Sequence, residues 1–182
     1  MLAISYSTLL IFISLIWLVV RAVIRIRNKR ISWKREAQLL LVYVCIVVVA
    51  RFVFFPFSKV DGEIQPLLFD VNKIWPFWVN FVPFVHLDDY PNESEAWLNF
   101  IGNTTMFIPI GIIFPIVYKE LNTHKKAIVA GVVFSLAIEI SQLLFYDRCS
   151  DIDDLILNSL GYIVGYGILL LVRKLSVRSE SQ

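Results

Sequence analysis

Residues 152–172 read IDDLILNSLGYIVGYGILLLV. After the first few positions the stretch is apolar for about the 20 residues that a helix needs to cross hydrocarbon. Yet Asp154, Asn158, Gly161 and Gly165 recur at steps of four and three, so on a helix they share one face. The reading is a membrane-spanning helix with one stripe meant for something other than lipid.

The rest of the chain has the same character. Of 182 residues, 58% are hydrophobic and mean hydropathy is +0.70, above an ordinary soluble domain. Apolar windows of spanning length fall at about 2–20, 37–57, 97–117, 126–146 and 152–172. The expected fold is an all-α, polytopic membrane bundle of about five transmembrane helices. Its organisation reads as two N-terminal helices with a basic loop (1–57), an acidic and aromatic segment (58–96), a three-helix core (97–172) and a basic tail (173–182). The first span opens MLAISYST, without a basic leader or an A-x-A-like site, so it is expected to stay as an anchor. Cys45 and Cys149 fall at different depths and are expected to be free thiols.

The basic residues orient the bundle. RAVIRIRNKRISWKRE, residues 21–36, carries Arg21, Arg25, Arg27, Lys29, Arg30, Lys34 and Arg35, whereas residues 58–95 carry only Lys59 and Lys73 against seven acids. With the first loop inside, 13 basic residues become cytoplasmic and three external, with Arg51 within a span. The N-terminus is expected outside and the C-terminus inside. The positive-inside pattern accounts for the basic loop, so no nucleic-acid role is read into it. In segment 58–96 the prolines forbid one continuous span, and WPFWVNFVPF, Trp75 to Phe84, is expected at the outer interface.

The fourth window contains SLAIEISQLLF, residues 135–145, where Ser135, Glu139 and Gln142 share a face with Gly131. Asn99 and Asn103 lie one turn apart in the third window, and Asp151 precedes the stripe of the fifth. In the predicted topology all of these, with Arg51 and the external Arg148, belong to the outer half of the membrane. A charge at the bilayer centre costs about 2.5 to 3.5 kcal/mol on insertion scales, so the charged groups are expected to meet in a polar cavity opening outward. Acids outnumber bases there. Such a cluster holds a proton, draws a cation or takes the cationic group of a ligand. Glu139, Asp151, Asp153 and Asp154 are the candidate ligands of a divalent cation. The structural alternative is that Asn, Ser and Gln act as interhelical glue worth about 0.6 kcal/mol a pair, with Asp151 or Asp153 capping the last helix.

NFVPF (Asn80 to Phe84), NFIGNTTMFIPIGIIFP (Asn99 to Pro115), SLAIEISQ (Ser135 to Gln142) and RCSDIDDLILNSLGYIVGY (Arg148 to Tyr166) together resemble the VanZ-like family of small bacterial membrane proteins. The resemblance covers about half the chain and implies a multi-pass plasma-membrane protein associated with reduced susceptibility to teicoplanin and related lipoglycopeptides. It carries over to Asn99, Asn103, Pro109, Gly111, Ser135, Glu139, Gln142, Asp151, Asp154, Asn158, Gly161 and Gly165. One departure is Tyr162, a large ring where relatives often have a second small residue.

The preferred functional reading is binding. Arg51, Asn99, Asn103, Ser135, Glu139, Gln142, Arg148, Asp151, Asp154 and Asn158 would hold the head of a membrane lipid, a lipid-linked wall precursor or a lipoglycopeptide, with the aromatic segment over its lipid part. The alternative is an enzyme acting on a lipid or wall component, with Glu139 or Asp154 as general base and a divalent cation as candidate cofactor. A third reading is an accessory acting on a wall-synthesis partner through the first two spans.

Overall fold

In a computed structural model, the described residues are 2–27, 32–55, 62–70, 75–83, 93–121, 123–146 and 148–179. The order is β1 (Leu2–Ile4), α1 (Tyr6–Arg27), α2 (Trp33–Phe54), β2 (Leu67–Phe69), β3 (Val79–Asn80), α3 (Glu93–Val117), α4 (His124–Gln142), β4 (Ser150–Asp151) and α5 (Ile152–Ser179). The fold is an all-α bundle, as the hydropathy pattern predicts. α1, α2, the stretch Trp97–Val117 of α3, and α5 are each long and apolar enough to cross a membrane. α4 falls outside that set. It opens with His124, Lys125 and Lys126, carries Glu139, and at 19 residues reaches about 28 Å at the usual helical rise.

α3, α4 and α5 form the centre. On α4 the buried residues Ala127, Gly131, Ser135, Ile138, Glu139 and Gln142 make one face, the stripe expected from their spacing. α3 and α5 run parallel and touch backbone to backbone: a Cβ on Gly161 would strike the carbonyl of Thr104, and one turn on, a Cβ on Gly165 would strike that of Ile108. Gly111 makes the reciprocal approach to the Tyr162 carbonyl. The Tyr162 side chain is nonetheless 0% exposed. Its ring occupies the space over Gly131 of α4, so the departure at this position is accommodated by α4 and does not loosen the α3–α5 contact. Helix α3 continues through Pro109 and Pro115.

The first two helices differ from each other. None of α1 is buried, as expected of a lipid-facing helix. α2 buries Leu39, Val42, Cys45, Val49, Ala50 and Val53 and packs against α3 and the core. Its packing stripe is as apolar as its lipid face, so composition hid it.

Two short pairings stand outside the sequence reading. β1 pairs antiparallel with β2, Leu2 opposite Phe69 and Ile4 opposite Leu67. β3 pairs in parallel with β4, Val79 opposite Ser150 and Asn80 opposite Asp151. The second lays the aromatic segment against the α4–α5 connection. Trp75, Phe77, Trp78 and Phe81 remain exposed; Phe84 and the expected acidic flanks at 58–61 and 84–92 lie outside the described residues.

Candidate functional site

The α4–α5 connection is held from three sides. Asp151 precedes α5, and its carboxylate Oδ1 accepts the main-chain N–H of Asp153 at 2.9 Å, the helix-capping role named as the structural alternative. The same oxygen accepts from Asn80 Nδ2 at 3.1 Å. From α4, Glu139 Oε2 accepts the main-chain N–H of Asp151 at 3.0 Å and the Ser150 hydroxyl at 3.3 Å. Glu139 is only 2% exposed, and its carboxyl is met by main-chain and hydroxyl donors at the mouth of α5.

On the α3 side, Asn103 Nδ2 donates to Asp154 and also to Asn99 Oδ1 at 2.7 Å. Asp154 bears electrostatically on Glu139, as does Asp151. Among the described residues, Arg148 acts as a cation on Asp154. The structure therefore brings Asn99, Asn103, Glu139, Arg148, Asp151 and Asp154 into one neighbourhood, with Ser135 and Asn158 buried on the same helix faces.

Arg51 has other contacts. Its guanidinium donates to the carbonyl of Phe55 at 3.2 Å and lies over the rings of Tyr6 and Phe52. Gln142 and Arg148 each have a structural task besides: Gln142 Nε2 donates to the carbonyl of Val53 at 3.2 Å, and Arg148 donates to that of Phe54. Both bonds satisfy carbonyls left open at the C-terminal end of α2. Among the described residues no three His, Cys, Asp or Glu side chains are grouped so as to hold a metal ion; Asp151 and Glu139 spend oxygens on the helix cap and the main chain instead.

The polar groups are more deeply set than an open pocket implies. Asn103, Ser135, Glu139, Gln142 and Asn158 are buried, while Asp151, Asp153 and Asp154 are half-buried at the mouth. Several buried atoms nonetheless retain unused hydrogen-bonding capacity: Thr104 Oγ1, Ser135 Oγ, Glu139 Oε1, Gln142 Oε1, Asn158 Oδ1 and Tyr162 OH have no partner among the described residues. Each such group costs about 1 to 3 kcal/mol. They are concentrated on three adjoining helices, beside carboxylates.

Sequence reasoning missed Asn80, Ser150, Thr104 and Tyr162 as members of this neighbourhood. Asn80 and Ser150 stand inside the motifs NFVPF and RCSD, so the motif boundaries were the available signal. Thr104 stands beside Asn103, and Tyr162 directly follows Gly161 in a run that is otherwise apolar.

These motifs fall within residues 40–173, which match the model of the VanZ/LLP1 family. The chain belongs to the VanZ/LLP1 family. The match begins inside α2 and ends inside α5, leaving α1 outside it. No curated protein and no solved structure shows significant similarity to the chain.

Proposed function

We propose that this VanZ/LLP1 protein lies in a bacterial plasma membrane as a multi-pass bundle, N-terminus outside. There it protects against teicoplanin-type lipoglycopeptides by binding an amphiphile of the outer leaflet, either a lipid-linked wall precursor or the antibiotic's own acyl tail and head. The observation that carries this reading is the row of buried polar atoms without partners around Glu139, next to an exposed aromatic segment tied to Asp151 through the β3–β4 pairing. Oxygens with spare capacity suit the hydroxyl, amide or ammonium groups of a head. Exposed Trp and Phe suit the apolar portion at headgroup depth.

Glu139→Gln is the informative substitution, because a glutamine oxygen still accepts the Asp151 N–H while the ionisable group is removed. Expressed in a susceptible bacterium, it is expected to abolish protection while membrane abundance on an immunoblot stays at the wild-type level. Retained protection at equal abundance would count against the proposal. Incubation of the purified protein with lipid-linked precursors, followed by mass spectrometry with and without a chelator, separates binding from the enzymatic alternative: turned-over product favours catalysis by Glu139 or Asp154.

A further inference from the structure

The opposite end of the bundle carries a separate charged constellation. Arg21 and Arg25, one turn apart on α1, both pair with Glu36 of α2; Arg21 reaches it through Nε and Nη2, and Arg25 Nη2 lies 3.3 Å from Oε2. Two guanidiniums on one carboxylate leave a surplus positive charge. The Arg25 side chain is 47% exposed, so that charge is not sealed in. Clefts lined by Arg21, Arg25, Glu36 and Trp17 open between α1 and α2. The larger, of about 650 Å³, continues along Leu18 and Leu40 and is edged by Trp33. The smaller, of about 390 Å³, adds Arg35 and Tyr118.

The lining sets the chemistry of an occupant. Paired guanidiniums match the oxygens of a phosphodiester better than any neutral head. Trp17 and Trp33 mark headgroup depth. Leu18 and Leu40 stay exposed along the helices, continuing the cleft into the hydrocarbon as a track for acyl chains. The volume suits a headgroup and glycerol, with the chains lying outside. We propose that the α1–α2 cleft binds an anionic phospholipid of the leaflet at the Arg-rich end, its phosphate on Arg21 and Arg25 and its chains along Leu18 and Leu40. Arg21 and Arg25 precede the family match, and this site is independent of Glu139.

Native mass spectrometry of the full chain, equilibrated with equal amounts of phosphatidylglycerol and phosphatidylcholine bearing the same chains, tests the assignment. The expected result is preferential retention of phosphatidylglycerol, undisturbed by millimolar inorganic phosphate. Arg21→Gln with Arg25→Gln should lower that retention by about fivefold per arginine. Two further variants keep the arginines, so the test stands even where the double variant fails to fold. Glu36→Gln frees both guanidiniums and should raise retention of phosphatidylglycerol, whereas Ala22→Trp fills the larger cleft and should lower it. Equal retention of the two lipids, displacement by free phosphate, or unchanged retention in both of these variants overturns the proposal.

Discussion

Glu139 spends one carboxylate oxygen on the Asp151 amide and the Ser150 hydroxyl and leaves the other unpartnered among the described residues. A residue of this kind is easy to find in a sequence, because a carboxylate amid Ile and Leu announces its own cost. Its partners are harder to foresee. Depth along a helix does not say which way a side chain turns: Arg51 lies against Tyr6 and Phe52. Cys149 offers a test of which side this end of the bundle faces. It is exposed whereas Cys45 is buried. Desolvation by its surroundings, and then the Asp151 carboxylate, hold the Cys149 thiol above its usual range. A membrane-impermeant maleimide applied to intact cells should label Cys149 alone, more slowly than a free cysteine and faster at higher pH as the thiolate fraction grows. Labelling that requires permeabilised cells would reverse the orientation.

The glycines decide how the elements meet. A Cβ on Gly165 would run into the carbonyl of Ile108, which belongs to a helix backbone and has little room to give, while nothing lies within 4 Å of a Cβ on Gly167 two positions later. Gly165→Ala should therefore destabilise the fold by about 1 to 3 kcal/mol in a denaturant titration of the detergent-solubilised protein. Gly167→Ala should be neutral or gain up to about 1 kcal/mol of helix propensity. Equal effects would mean that α3 and α5 are not in backbone contact. This contact was legible as Gly161-x-x-x-Gly165 at helical spacing. The residue that sits between α5 and α4 was not. Tyr162 looks too large for a close crossing, and only the placement of Gly131 opposite its ring shows where the bulk goes.

For the whole molecule, hydropathy made the helical count and the polar core of α3 to α5 readable, because spanning length and a shared helix face are both periodic signals. The β1–β2 and β3–β4 pairings were not readable, since strands of two or three residues have no period and their partners lie far away along the chain. α1 shows the same division. It buries none of its own residues and is joined to α2 by the Arg21–Glu36 and Arg25–Glu36 pairs and by Ser14 with Tyr43 at 2.7 Å. Replacing the apolar part of α1 with an unrelated spanning sequence, while retaining Ser14, Trp17, Arg21 and Arg25, should leave lipoglycopeptide susceptibility and membrane abundance unchanged. Loss of protection at normal abundance would point to a partner protein recognised by α1. The β3–β4 pairing has its own consequence. Glu139 grips the Asp151 amide, and Asn80 grips the carboxylate of that same residue. Asp151 thus joins the two, so a ligand that displaced Trp75 to Phe81 would bear on Glu139 through this one residue, although no ring of that segment need touch it.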